Sequence, residues 1–190
     1  MQARTLPETL PLTDDARSSA ILWTLGFASL TAAGAHLALP TVPVPVTLQT
    51  PFVLLAGALL GARKGAASQI SYLAAGTVLP VFANGMGGIA YLAATPTIGY
   101  LVGFPVAAAI TGALSKGAGF VRMTLVMALA MAALFACGML GLVLRGFSWT
   151  TAFEQGFLGL QLFDLVKVVT TAFLATTLLR ACAQRDDARA

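Results

Sequence analysis

Apolar runs of membrane-spanning length, cut apart by prolines, glycines and basic residues, constrain this chain more than any other feature. About 20 apolar residues suffice to cross the hydrocarbon core of a bilayer as a helix. Inside lipid every backbone amide must find its partner within the protein, so spanning segments fold as helices or closed barrels, and runs this long select helices. The charge count agrees. Charged residues make up 9% of the 190 positions, against about 25% in a soluble domain. The sequence therefore predicts an all-α integral membrane protein, folded as one compact bundle.

The breakers divide the chain into six transmembrane helices, over residues 19–39, 50–62, 65–80, 97–115, 123–144 and 157–179. Pro40 closes the first run, and Pro43, Pro45 and Pro51 favour extended backbone after it. The second run is short for a span, but the charges support it. Short cytoplasmic loops collect Lys and Arg. With six spans and both termini cytoplasmic, the inner segments hold Arg4, Arg17, Arg63, Lys64, Lys116, Arg122, Arg180, Arg185 and Arg189, and the outer segments hold Arg145 alone. Merging the second and third runs destroys this alternation. The expected organisation is a polar, mobile cytoplasmic tail at 1–18, a membrane domain at 19–180 and a cytoplasmic tail at 181–190. Residues 1–18 mix acidic with basic residues and do not read as a signal peptide.

This topology puts two irregular segments, 40–50 and 80–96, on the outer side. They carry Thr47, Gln49, Thr50, Asn84, Tyr91, Thr95 and Thr97 but no charged residue. Non-helical backbone at membrane depth is tolerated where it is buried in protein or lines a cavity. These segments are therefore expected to cap a ligand pocket, and to offer hydrogen bonds to a polar, uncharged ligand group. A plain connector with satisfied turns is the alternative.

Asp164 and Lys167 are the exception to a rule that otherwise keeps charge out of the apolar runs. Each would cost roughly 2.5–3.5 kcal/mol alone at mid-helix, and intramembrane ionisable groups are rare and usually functional. Their i, i+3 spacing places them on one helix face. Counting about 1.5 Å per residue from the outer end puts Asp164 roughly 10 Å deep. Three readings stay open: a mutually neutralising pair, a proton or ion relay, and a ligand site reached from outside. The uncharged outer segments favour the third.

The remaining signals are weaker. His36 stands alone and suits a polar or packing role, Glu154 a solvated one, and Cys137 and Cys182 read as small buried hydrophobes without metal-ligand spacing. The basic residues form no patch that would bind nucleic acid. No P-loop, zinc-protease or serine-nucleophile motif is present, so no enzyme activity, metal or cofactor is expected. Ala28 and Ala32 make a small-xxx-small pair in the first run, as do Gly34 and Ala38. Such surfaces let helices approach closely in lipid, within the chain or with a partner.

Four strings carry a resemblance: VPVPVTLQT at 42–50, LLAGALLGARKGA at 54–66, LPVFANGMGGIAYL at 79–92 and PTIGYLVGF at 96–104. With them, residues 20–180 resemble the BioY family, the biotin-specific substrate-capture (S) components of energy-coupling-factor (ECF) vitamin transporters. The resemblance implies a six-helix protein of the cytoplasmic membrane that takes biotin from outside and is coupled to a transmembrane T component and two cytoplasmic ATPase subunits, with a homo-oligomer allowed. It implies that Ala28 and Ala32 contact the T component. It also matches the family's Asp-x-x-Lys to Asp164 and Lys167, and gives Asn84 to the site. Where many members read Pro-Gly before the Asp, this chain has Leu162-Phe163, so its last helix is expected to begin earlier and more regularly. The substrate-binding set is then Asp164, Lys167, Asn84 and Gln49, with Phe82, Tyr91 and Tyr100 as apolar wall. The competing readings are an S component for another small vitamin, a small intramembrane enzyme using Asp164 and Lys167, and a purely structural bundle subunit.

Overall fold

The computed structural model describes residues 5–6, 10–13, 15–39, 44–158 and 161–187. The architecture is helical throughout, apart from a two-stranded ribbon of two residues per strand. Helix α1 (Ala16–His36) leads into β1 (Ala38–Leu39), which pairs antiparallel with β2 (Val46–Thr47). Then come α2 (Gln49–Gly76), a 3₁₀ turn at Ala83–Gly85, α3 (Ile89–Ala94), α4 (Ile98–Leu114), α5 (Phe120–Leu144), α6 (Trp149–Phe153), a π turn at Glu154–Leu158, and α7 (Gln161–Asp187).

Seven helices thus stand, among the described residues, where six spans were expected. Three helical stretches are long and apolar enough to cross a membrane, Ala16–His36, Phe120–Leu144 and Phe163–Gln184, and Ile98–Leu114 is a shorter apolar helix. The expected second and third runs form one helix, α2, interrupted at Gly61, whose φ of 79° and ψ of 171° are closed to other residues without strain. The break falls two residues before Arg63-Lys64. The short helices α3 and α6 lie in stretches read as loops.

The ends differ as well. Phe157 sits in the π turn, so α7 starts at Gln161 and not at 157, and it runs on to Asp187 through the polar segment expected as a tail. Apolar runs mark lipid, whereas Arg, Ala and Gln after Leu179 are good helix formers in water too. Near the other terminus, Leu6 is buried in the core, Trp23 Nε1 donates to the Leu10 carbonyl at 3.0 Å and the Leu12 amide to Ser19 Oγ at 2.9 Å. The described part of residues 1–18 therefore packs back on α1 and is not a free tail. Asp15 caps α1, and the Ser18 hydroxyl, then the Ser18 and Arg17 amides, hold its carboxyl below the ordinary value.

Glycines set how closely the helices meet. A Cβ on Gly57 would fall on the Ala108 carbonyl oxygen, and one on Gly112 on the Ala62 backbone, so α2 and α4 touch main chain to main chain. Gly99 and Gly141 do the same for α4 and α5. Without a hydrophobic driving force between helices in lipid, such packing is a main source of association. Around these seams the core gathers Val53, Leu54, Leu59, Phe104, Met127 and Leu134.

Replacing Gly57 by Val should therefore destabilise the protein by about 1–3 kcal/mol, the usual cost of overpacking. Gly26→Ala, where an added Cβ meets nothing within 4 Å, should be neutral or stabilising by up to about 1 kcal/mol. Thermal unfolding in detergent checks both; equal melting temperatures would refute the close-packing account.

Candidate ligand-binding site

Helix α7 presents Phe163, Leu165 and Val166 outward and turns Asp164, Val168, Thr171 and Ala172 inward. Asp164 is only 7% exposed, and Lys167 Nζ donates to its Oδ1 at 2.8 Å. The i, i+3 spacing makes this bond local, so the helix itself supplies the geometry. An ammonium has three donors and a carboxylate two acceptor oxygens. Among the described residues the pair uses one of each, leaving Lys167 N–H groups and Asp164 Oδ2 available to a ligand.

The second polar group is a hydrogen-bond relay at the start of α2. Thr47 Oγ1 donates to Gln49 Oε1 at 2.9 Å, Gln49 Nε2 donates to Tyr72 Oη at 2.7 Å, and Tyr72 Oη donates to the Val81 carbonyl at 3.2 Å. Gln49 and Tyr72 are both buried. The relay ties β2 and the 79–86 turn to the second half of α2. That turn closes on itself, since the Phe82 amide donates to the Met86 carbonyl at 2.8 Å and the Gly88 amide reaches the Gly76 carbonyl at 2.8 Å. Gly76 lacks a side chain because the Phe82 ring occupies the place a Cβ would take.

Aromatic rings join the two polar groups. Tyr72 meets Phe82 edge-on at 5.4 Å, Phe82 stacks on Tyr91 at 5.7 Å, and Tyr100 meets Phe135 edge-on at 6.4 Å. Tyr100 Oη donates to the Gly156 carbonyl at 2.8 Å, pinning the π turn over α4. Between these groups lies a cavity lined by Val44–Thr47, Gln49, Thr50, Phe82, Ala83, Tyr91, Thr97, Tyr100, Leu101, Phe104, Met131, Leu134, Phe135, Asp164 and Lys167. It opens at a mouth, so its empty space of about 610 Å³ is shared with the surroundings. The enclosed part is narrow, a cavity of about 60 Å³, below the usual size of a small-molecule site. Apolar walls with a few convergent polar groups describe a site for a small amphipathic molecule.

The cavity brings together Asp164, Lys167, Gln49, Phe82, Tyr91 and Tyr100 from the expected set. Asn84 is not in the lining; it is exposed at the tip of the 3₁₀ turn with φ 59°, a left-handed conformation that Asn accepts more readily than most residues. Gln49 is present, but both ends of its amide are already bonded within the protein. Ala28 is buried in the chain's own core and Ala32 is half-buried, while Gly34 lies against the Leu48 backbone. Glu154 and His36 are exposed, and both cysteines are half-buried. The reading missed Tyr72 and the wall from α5. Met131, Leu134 and Phe135 follow the i, i+3, i+4 rule of one helix face, a signal that does not distinguish core from cavity.

The sequence profile of the BioY family matches residues 7–184. The chain belongs to the BioY family. It is similar to the probable biotin transporter BioY of Lysinibacillus sphaericus, 37% identical over 166 residues, or 81% of this chain and 83% of that one. The biotin transporter BioY of Thermotoga maritima is 34% identical over 161 residues, covering 84% and 95%. The fold matches the crystal structure of the S-component for biotin from an ECF-type ABC transporter with a TM-score of 0.77, at 19% identity over 89% of this chain and 95% of that one. Family membership and the apolar helices make the chain a membrane protein.

Removing the Gln49 amide would leave Thr47 without its acceptor and Tyr72 without a donor. Gln49→Leu should cost about 1–3 kcal/mol, as expected for stranded buried polar groups. The melting temperature of the ligand-free protein reads this out; an unchanged value would mean the relay does not hold β2 and the 79–86 turn in place.

Proposed function

We propose that this chain captures biotin from the outer side of the cytoplasmic membrane, as the substrate-binding component of an ECF-type transporter. The observation that carries the reading is the cavity at α7, which holds a buried Asp164–Lys167 pair with unused hydrogen-bonding capacity beside an aromatic wall. Biotin fits that inventory. It has a ureido ring that needs donors and acceptors, an apolar thiophane and valeryl chain, and a carboxylate. Family membership and the biotin transporters among the relatives support the same ligand.

In this reading six segments cross the bilayer, with α2 counting twice on either side of Gly61 and both termini cytoplasmic. Residues 1–18 and 181–190 then flank the binding domain of 19–180. Asp164 and Lys167, bonded to each other at 2.8 Å, meet the same polar end of the ligand, Asp164 as acceptor and Lys167 as donor. Phe82, Tyr91 and Tyr100 cover the apolar middle. Asn84 at the exposed turn tip would join only through a rearrangement of that turn. Coupling to ATP hydrolysis would come from a T component and two ATPase subunits, the chain itself carrying no nucleotide-binding loop of the P-loop kind. The partner surface lies on α1. Ala28 faces inward, so beside Ala32 the small residues that remain open to a partner helix are Gly26, Ser29 and Ala33.

Asp164→Asn and Lys167→Ala, made separately, should each weaken biotin binding roughly ten- to hundredfold, the scale of a lost charge-assisted hydrogen bond. Calorimetry in detergent measures this, and unchanged affinity in both variants would sink the direct-ligand model. A wild-type chain that binds thiamine or riboflavin but not biotin would replace the substrate.

A further inference from the structure

Away from the ligand cavity, the chain lays its own beginning over an apolar notch. Leu6 and Leu10 stand one helical turn apart, the Leu10 amide donating to the Leu6 carbonyl at 2.8 Å, and both face a second cavity. Its other walls come from Trp23 and Phe27 of α1, Leu59 of α2, and Leu178 and Cys182 of α7. No charged residue is in this lining. At 1.5 Å per residue, Leu178 lies roughly 20 Å along α7 from Asp164, so the notch is separate from the ligand cavity.

The cover is attached but fits loosely. Leu6 is buried, Trp23 Nε1 donates to the Leu10 carbonyl at 3.0 Å, and the Leu12 amide donates to Ser19 Oγ at 2.9 Å. Yet the notch beneath keeps a cavity of about 360 Å³. Protein interiors hold few voids larger than a water molecule. An apolar cavity stays dry, and empty space destabilises in proportion to its volume. Leu6 and Leu10 therefore fill less than the notch offers, and bulkier apolar side chains would fill it better.

The notch also continues the open side of α1. Trp23 stands one turn before Gly26, and Gly26, Ser29 and Ala33 are exposed small residues. Such residues let a second helix approach closely in lipid. A helix lying along them would reach the notch and meet Leu6 and Leu10 in its path.

We propose that this N-terminal segment is an autoinhibitory cover: it occupies the notch in the free chain, and an apolar helix of the transmembrane T component displaces it on assembly. The proposal rests on the transporter reading above and adds the contact that assembly must break.

Removing residues 2–13 tests this, since the cut leaves Asp15 to cap α1. Fluorescently labelled full-length chain and variants are titrated into nanodiscs holding the T component with its two ATPase subunits. A cover closed about nine-tenths of the time lowers the apparent affinity about tenfold, so the truncated chain should bind roughly five- to tenfold more tightly. Leu10→Asp, which loosens the cover in a full-length chain, should shift the affinity in the same direction. Leu10→Phe, which fills the cavity, should weaken association about two- to fivefold. Leu178→Glu puts a charge in the notch and should weaken association of the full and truncated chains alike. Biotin affinity of each isolated variant should stay within about twofold of wild type, which also shows that the variants fold. Unchanged or weaker association after truncation would overturn the cover and leave the segment a purely structural part. The same result with one more phospholipid co-purifying per truncated chain would give the notch to a lipid tail and overturn the proposal too. Wild-type association in Leu178→Glu would place the partner helix elsewhere and overturn the shared notch. A wild-type chain that binds biotin but never associates with the T component would sink the transporter reading itself, and that is seen before any variant is compared.

Discussion

The hydrogen bond from Gln49 to Tyr72, 2.7 Å long and fully enclosed, holds together what the helices alone would leave apart. Helical backbone satisfies itself, but the ribbon of β1 and β2 and the turn at 79–86 are not helices, and unpaired amides near hydrocarbon cost several kcal/mol each. Each segment solves part of the problem locally, by a two-residue ladder in one and the Phe82–Met86 closure in the other. Neither local solution says where the segment should sit. The relay from Thr47 through Gln49 and Tyr72 to Val81 supplies that position. The aromatic contacts of Tyr72 with Phe82 and Phe104 follow from it, and with them the cavity wall.

The ion pair on α7 has a different logic. Two charges taken out of water repay their desolvation only when geometry is good and the remaining valences are filled, so a buried pair is poor evidence for stability. Here the geometry is good, with 2.8 Å between Nζ and Oδ1. The remaining valences face a cavity. That combination is costly to keep for packing alone and suited to recognition, where a ligand completes the set and exclusion of water strengthens each bond.

The sequence made the charged half of this site legible and hid much of the neutral half. Asp164 and Lys167 stand out because their surroundings are apolar, and helical periodicity alone puts them on one face. The break in α2 was legible from Arg63-Lys64, although the residue that makes it is Gly61, whose role depends on a backbone angle. Gln49, Phe82, Tyr91 and Tyr100 reached the candidate set through motif strings and composition, and composition cannot say which way an amide is spent. Hence Gln49 and Thr50 read alike as hydrogen-bonding residues of one segment, although the Gln49 amide closes its bonds within the protein and the Thr50 hydroxyl finds no partner among the described residues. Asn84 stands outside the cavity lining, and a polar residue in a glycine-rich turn can serve the backbone as readily as a ligand. The ends of α7 escaped because hydropathy reports where lipid is, and a helix of good formers continues past that point.

The division of labour between the two halves follows from what each kind of group costs to bury. A charge displaced by an ångström in an apolar site loses far more than a hydroxyl does, since ionic interactions in low dielectric are several times stronger and their desolvation is larger. Charges therefore belong on the most regular element available, and the i, i+3 geometry of α7 fixes Asp164 against Lys167 without help from the loops. Neutral donors and acceptors tolerate displacement, so β2 and the first turn of α2 line the cavity with Thr47, Gln49 and Thr50 and no charge. A wall built this way can adjust around an entering molecule at the cost of exchanging one neutral hydrogen bond for another, while the charged pair on α7 stays in register.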